Sequence, residues 1–465
     1  VQADGPTLPV YDPATGAVID QVPLSGREAV DAAVKAAGEA FGRWSRTPVM
    51  ERVRLMFRFK ALLEDGFEDL ARIVTRHHGK TLEEARGEIR RGIEVVDFAC
   101  GAPTLLQGRT LRDVSAGVDQ DLYRFPLGVA AGVPPFNFPV MIPLWMFPLA
   151  VVAGNTFVLK PSERTPLGAV RLAEIFTAAG FPDGVLNLVN GAGAEVEALI
   201  AHPGVAAISF VGSAPVARQV YAGAAAQGKR VQALGGAKNH IVVMPDADLE
   251  LAVPAILGSA FGNAGERCLA GSVAVAVGSA GGTLLEPLAA GAGALKVGPG
   301  DEVGVDVGPL IRAEHRDRVA GFIERGAAEG ARVLVDGRDQ MARRGFFLGP
   351  TILDGVSDSM AAGREEIFGP VLSVSHSPTL EDAIAQANRM ALGNMAVIFT
   401  SSGRAARQFR EQVDAGMVGV NVPVAQPFAF FPFSGWKGSF FGDLHVHGLD
   451  GVEFYTRKKM FISRW

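Results

Sequence analysis

Apolar side chains recur at Val30, Ala33, Ala37 and Phe41, the spacing that draws one stripe along a helix. Ser25, with Glu28 three residues on, has the arrangement of a capping box at the start of that helix, and a short strand pair is expected before it. From residue 156 the rhythm changes. Apolar runs at 156–160, 185–189 and 206–211 alternate with helical stretches at 166–179, after Gly193 and from Ser213, and Gly180 stops the first of these. Strand and helix in turn predict an α/β fold with a parallel, doubly wound sheet of Rossmann type. A second alternating region follows from about 237 to 424. Residues 109–124 read as a hairpin with Val114-Ser115-Ala116-Gly117 at its tip, and 452–462 as a late strand.

Residues 125–159 carry no charged side chain, long enough to suggest a membrane span. Pro126, Pro134, Pro135, Pro139, Pro143 and Pro148, with Asn137 and Asn155, break any simple spanning helix. The stretch is read instead as a buried loop and helix beneath the active site. A chain of 465 residues holds two or three domains. Its net charge of -5 offers no basic field, so nucleic acid is not an expected partner. Two cysteines cannot build a disulfide framework, and a reducing, cytoplasmic setting is expected. Val1-Gln2-Ala3-Asp4 shows no basic segment leading into an apolar one, so no secretion signal is expected.

One of those cysteines, Cys268, sits in Gly265-Glu266-Arg267-Cys268-Leu269-Ala270. A thiol between a glycine turn and small residues is approachable and reads as a nucleophile. Cys100, in a helical apolar setting, reads as packing. Gly191-Ala192-Gly193 resembles the opening of a dinucleotide fingerprint, but Val196 takes the third glycine position, and a plain tight turn is the better reading. His240 reads as structural, and His77 and His78, before Gly79-Lys80, as residues capping a helix end. No cluster has the spacing of a metal site.

Four further motifs accompany Cys268 in order: Pro135-Phe136-Asn137-Phe138-Pro139, Lys160-Pro161-Ser162-Glu163, Phe210-Val211-Gly212-Ser213 and Glu365-Glu366-Ile367-Phe368-Gly369-Pro370. Together they resemble the aldehyde dehydrogenase superfamily, from about residue 8 to the C-terminus. The resemblance implies oxidation of an aldehyde through a thiohemiacetal and a thioester on Cys268, with Asn137 and the Cys268 backbone N–H facing the oxyanion. It implies NAD at Phe136, Lys160, Glu163, Gly212, Ser213, Glu366 and Phe368, with Glu163 accepting from the adenosine ribose and disfavouring a 2′-phosphate. The pyrophosphate would meet the strand-to-helix turn at Gly212-Ser213. It implies a dinucleotide-binding domain at 1–106 and 128–236, a catalytic domain at 237–445, and an oligomerisation element at 107–127 and 446–465. Strands of such an element pair between subunits, and left alone they would be exposed edges, so a homotetramer is expected.

Leu234-Gly235-Gly236-Ala237-Lys238-Asn239-His240 departs from the usual family pattern. Leu234 falls where hydrolytic members carry the Glu that activates water, and neither Ala233 nor Gly235 replaces it. Losing a general base costs about 10²–10⁴ in the step it serves, whereas the thiol of coenzyme A attacks a thioester directly. Gly-Ala-Lys-Asn-His, Gly265-Glu266-Arg267-Cys268, Arg91-Gly92-Ile93-Glu94, Phe441-Gly442-Asp443 and Phe454-Tyr455-Thr456 resemble the CoA-acylating methylmalonate-semialdehyde dehydrogenase branch. That resemblance implies a carboxylated semialdehyde and release of CO2, with Arg91 and Arg267 as candidate cations for the substrate carboxylate. Phe431-Pro432-Phe433-Ser434-Gly435-Trp436-Lys437-Gly438 departs from the branch and leaves the choice of aldehyde open. A family member that releases a free acid is the alternative.

Overall fold

Short apolar runs that are buried on both faces need helices above and below them, and the chain builds two such sheets. In the computed structural model the first has six strands, in the order Phe440–Phe441, Arg230–Leu234, Val205–Val211, Val129–Val133, Thr156–Leu159 and Leu186–Leu188. All neighbours run parallel except the two-residue Phe440–Phe441 strand, which pairs antiparallel with the Arg230–Leu234 edge. The second has seven strands and is parallel apart from Arg332–Val335, and its middle is Val371–Ser377, Gly271–Val277 and Asn239–Val243. A third sheet, antiparallel, joins Thr456–Arg464, Val118–Pro126 and Arg109–Ser115. The structure describes residues 5–465, so the first four, on which the secretion-signal reading rests, lie outside the described residues.

The uncharged stretch forms the strand Val129–Val133, a loop, and the helix Met141–Val152, whose twelve residues are all buried. Pro148 lies inside that helix. Two of the helix's last carbonyls receive side-chain donors, Trp44 Nε1 on Val151 O (3.0 Å) and Arg52 Nε on Val152 O (2.9 Å). No helix among the described residues is long and apolar enough to cross a membrane.

Two local expectations, the first helix's cap and stripe and the start of the late strand, are corrected, and the tight turn expected at Gly191 is found. The helix Gly26–Trp44 forms, but Ser25 makes no side-chain cap; the Gly26 N–H donates instead to Glu195 Oε1 at 2.9 Å. Its buried stripe is Val30, Val34, Ala37, Ala40 and Trp44, with Ala33 and Phe41 at the margin. The late strand starts at Thr456, because residues 448–454 form a short helix that packs on the apolar Met141–Val152 helix. Gly191-Ala192-Gly193 is a tight turn: Glu195 Oε2 accepts the Ala192 N–H at 2.7 Å, and a Cβ on Gly191 would meet that carboxylate at 2.2 Å.

Candidate active site

Cys268 follows a turn that ordinary residues rarely adopt. Asn263, Ala264 and Gly265 are all left-handed, with φ of 55°, 51° and 71°. Such a conformation costs about 1–3 kcal/mol for each non-glycine residue and persists only where its surroundings enforce it. Gly265 has no alternative, since a Cβ there would meet Gly369 O at 2.1 Å. The enforcement is visible: Glu84 Oε1 accepts the Asn263 N–H, and the Glu266 carbonyl accepts Asn263 Nδ2 (2.9 Å) and Asn137 Nδ2 (2.8 Å). Past the turn, Asn239 Nδ2 and Asn394 Nδ2 each donate to the Cys268 carbonyl at 2.9 Å. Asn239 comes from the Ala-Lys-Asn-His segment, so part of that signature anchors the nucleophile. The thiol is half-buried, and burial, followed by the nearby Glu366, pushes it up to about 12.

Asn137 is buried beside the thiol and lines the same cavity. One amide N–H is engaged by Glu266 O at 2.8 Å, and no other protein acceptor is hydrogen-bonded to that amide nitrogen among the described residues. Its backbone is fixed from behind by a fully buried ion pair. Lys80 Nζ donates to Glu88 Oε2 (2.6 Å) and to Asn137 O (2.7 Å), and lies 4.1 Å from the Phe138 ring centroid. Glu88 Oε1 accepts the Val140 and Met141 N–H groups at 2.8 and 3.1 Å, at the start of the buried helix. The sequence reading missed Lys80 and Glu88, whose spacing of eight residues looks like any solvated pair on a helix.

Cys268 opens on two cavities. The larger, about 420 Å³, brings together every residue expected at the dinucleotide: Phe136, Lys160, Glu163, Gly212, Ser213, Glu366 and Phe368, with Asn137 beside the thiol. Lys160 is buried, 3.6 Å from Glu163, and burial holds its ammonium below the usual range. Ser213 precedes the helix Ala214–Ala226, whose first N–H groups are free to meet a phosphate. Gly212 keeps the approach open, as a Cβ there would press on the Phe210 ring at 2.6 Å. At the far end Glu366 Oε1 accepts the Ala237 N–H at 2.9 Å, and Phe368 stands edge-on to Phe136 at 5.9 Å. The cavity's volume, its helix start with free N–H groups and its lining carboxylates Glu163 and Glu366 fit a dinucleotide.

The second cavity, about 260 Å³, lies on the opposite side of Cys268 and holds Arg91 and Arg267 with Phe138, Trp145 and Phe433. Arg91 pairs with Glu94 at 2.9 Å and packs 4.5 Å from the Phe428 centroid. Arg267 Nη2 donates to Gly258 O and Ser259 O, while its buried Nε has no partner. Leu234 is buried in the apolar core, and residues 230–238 contain no carboxylate. Of the carboxylates that line these cavities, Glu84 is engaged by the N–H groups of Thr81 and Asn263, Glu88 by those of Val140 and Met141 and Glu366 by that of Ala237, while Glu163 lies against Lys160 and Arg164.

Comparison with known proteins agrees with this geometry. The model of the aldehyde dehydrogenase family matches residues 1–461. A malonate-semialdehyde dehydrogenase of Geobacillus kaustophilus is 56% identical over 463 residues, 99% of this chain and 96% of the relative. One from Halalkalibacterium halodurans is 53% identical over 100% of this chain and 96% of its own length. The crystal structure of a methylmalonate-semialdehyde dehydrogenase from Oceanimonas doudoroffii superposes with a TM-score of 0.99 at 48% identity, covering 100% of this chain and 96% of that one. An NAD complex from Sinorhizobium meliloti, described under the same activity, gives 0.98 at 44% identity over 99% and 95% of the two chains. With a thiol at the junction of a dinucleotide groove and a small cavity, and relatives matched along nearly its whole length, this chain belongs to the aldehyde dehydrogenase family.

Proposed function

We propose that this enzyme oxidises malonate or methylmalonate semialdehyde with NAD and delivers the acyl group to coenzyme A with loss of CO2. The observation that carries the reading is a cysteine facing a cavity with two guanidinium groups, whose two lining carboxylates, Glu84 and Glu88, are both held by backbone donors rather than left to activate water. Relatives more than half identical to this chain bear the malonate-semialdehyde name, and one similar structure is bound to NAD.

Cys268 Sγ adds to the aldehyde carbon and gives up its proton, and the oxyanion is met by Asn137 Nδ2 and the Cys268 N–H. NAD, bound along the groove, accepts the hydride from that carbon. Lys160 and Glu163 would hold its adenosine end and Glu366 and Phe368 its nicotinamide end, which would orient the hydride acceptor toward Cys268. The thioester left on Cys268 carries a carboxylate one carbon beyond its carbonyl. Arg91 and Arg267 are assigned to that carboxylate, a reading supported by their lining the same cavity and by the buried Arg267 Nε having no partner in the protein. Breaking the bond to CO2 leaves an enolate at the same oxyanion donors, which a proton then quenches. The CoA thiolate attacks the thioester and releases Cys268. From malonate semialdehyde the products are acetyl-CoA, CO2 and NADH.

Steady-state NADH formation from malonate semialdehyde tests the reading. Turnover is expected only with CoA, with acetyl-CoA as the product by mass. Equal rates without CoA would make water the acceptor and the enzyme a producer of free acid. Leu111, Tyr123, Met460, Phe461 and Ile462 leave the three-stranded sheet with an exposed apolar surface, which supports a homotetramer. Sedimentation is expected to give four chains per particle, and a monomer would refute this assignment. Both cysteines are free, in keeping with a reducing, cytoplasmic setting.

A further inference from the structure

Glu266, two residues before the nucleophile, turns its side chain away from both cavities and into the protein. It is fully buried and unused by the chemistry. Its Oε1 accepts the Ile311 N–H at 3.3 Å and lies 3.4 Å from His315 Nε2; its Oε2 has no hydrogen-bond partner and lies 3.7 Å from His78 Nε2, itself unpartnered. The histidine tautomers follow from their other contacts. His78 Nδ1 accepts the Lys80 N–H at 3.3 Å, so its proton is on Nε2. His315 Nε2 is 2.7 Å from Phe368 O, which can only accept, so that nitrogen also carries a proton. Both rings therefore present N–H groups to Glu266. The remaining charges around it are Lys80, from the segment after His78, and Arg164, from the loop after Lys160.

These contacts join the nucleophile turn to the dinucleotide groove. Phe136 stacks on His78 (6.1 Å, 17°) and stands edge-on to His315 and Phe368. Phe368 has a φ of 58°, and its carbonyl is held there by His315. We propose that Glu266 is a positioning residue that competes with Phe368 O for the His315 N–H, so that its protonation state sets how firmly Phe368 is held against the dinucleotide. With the carboxyl protonated, His315 holds Phe368. With the carboxylate ionised, a charged acceptor outcompetes a neutral carbonyl and the tether loosens. Burial raises Glu266 to about 8, so the exchange falls between about pH 7 and about pH 9.

The experiment is the dissociation constant for NAD, measured by titration calorimetry without aldehyde. In the unmodified enzyme it is expected to rise about three- to tenfold between about pH 7 and about pH 9. Glu266→Gln, fixed in the neutral state, is expected to keep the low-pH value throughout. His315→Asn, too short to reach Phe368 O, is expected to show the weak value at every pH, and it carries the test should Glu266→Gln fail to fold. A pH-independent constant in the unmodified enzyme, or a rise that survives in either variant, overturns the proposal. The inference rests on Phe368 being a wall of the dinucleotide site, and Phe368→Leu separates the two. An unchanged constant there removes that reading. A weakened one alongside a Glu266→Gln profile identical to that of the unmodified enzyme removes the present proposal alone.

Discussion

Burial raises the Cys268 thiol to about 12, the carboxylate of Glu366 adds to this, and the backbone N–H groups of Cys268 and Leu269 offset only part of it. The free enzyme therefore holds its nucleophile as a thiol at neutral pH. Below its pKa the thiolate fraction grows about tenfold for each pH unit. Alkylation by iodoacetamide, followed by mass, is expected to accelerate about that steeply from pH 7 to pH 10 without levelling. A plateau near pH 7 would mean an activated thiolate and contradict this burial. Cys268 and Asn137 were legible in the sequence because each lies in a short local motif. Glu266, Lys80 and Glu88 were not, because a charge buried by distant segments has the same local sequence as a solvated one.

Around the nucleophile, the left-handed turn 263–265 and the start of the Met141–Val152 helix are braced by side chains of the helix Leu82–Cys100, through Glu84 and Glu88. Lys80 neutralises Glu88 where neither side chain reaches solvent. Breaking such a pair by removing one partner costs about 3–5 kcal/mol, because the other charge is left uncompensated. Lys80→Met is thus expected to lower the melting temperature sharply and, by freeing Asn137 O, to reduce turnover. Lys80→Met with Glu88→Gln should melt higher than Lys80→Met alone, since no buried charge remains and one acceptor for the helix N–H groups is kept. A double variant no more stable than the single would show that the pairing does not matter. At this scale the sequence pattern located the alternating strands and helices, whose periods are local. It misjudged the cap of the first long helix, where the partner of Gly26 lies 169 residues away. It was also blind to Phe440–Phe441, two residues too few to show a period, which nevertheless extend the first sheet beside Leu234.

Across the molecule, five of the eight histidines are kept neutral, four of them buried and His315 only partly exposed: His77, lowered to about 3, His78, lowered further still from the ordinary range, and His240, His315 and His447, each lowered to about 4. Burial is the first cause in each. In the unfolded chain these rings take protons near 6.5, so at acid pH the unfolded state binds more protons than the folded one and stability falls as pH falls. Glu266 acts in the opposite sense, since the folded state keeps its proton up to about 8 and the unfolded chain releases it near 4.5. The five rings outweigh Glu266 and Glu366, whose carboxyl burial also raises, so near pH 5 unfolding should take up about three to four protons per chain. The melting temperature is therefore expected to drop steeply from about pH 6.5 toward pH 4, in a window set by the histidines. His77 has no hydrogen-bond partner on either ring nitrogen, so His77→Leu removes one titrating ring without orphaning a donor. It should make that slope shallower by about one proton. A melting temperature unchanged between pH 7 and pH 5, or a slope that His77→Leu leaves intact, would show that these rings are not held neutral by the fold.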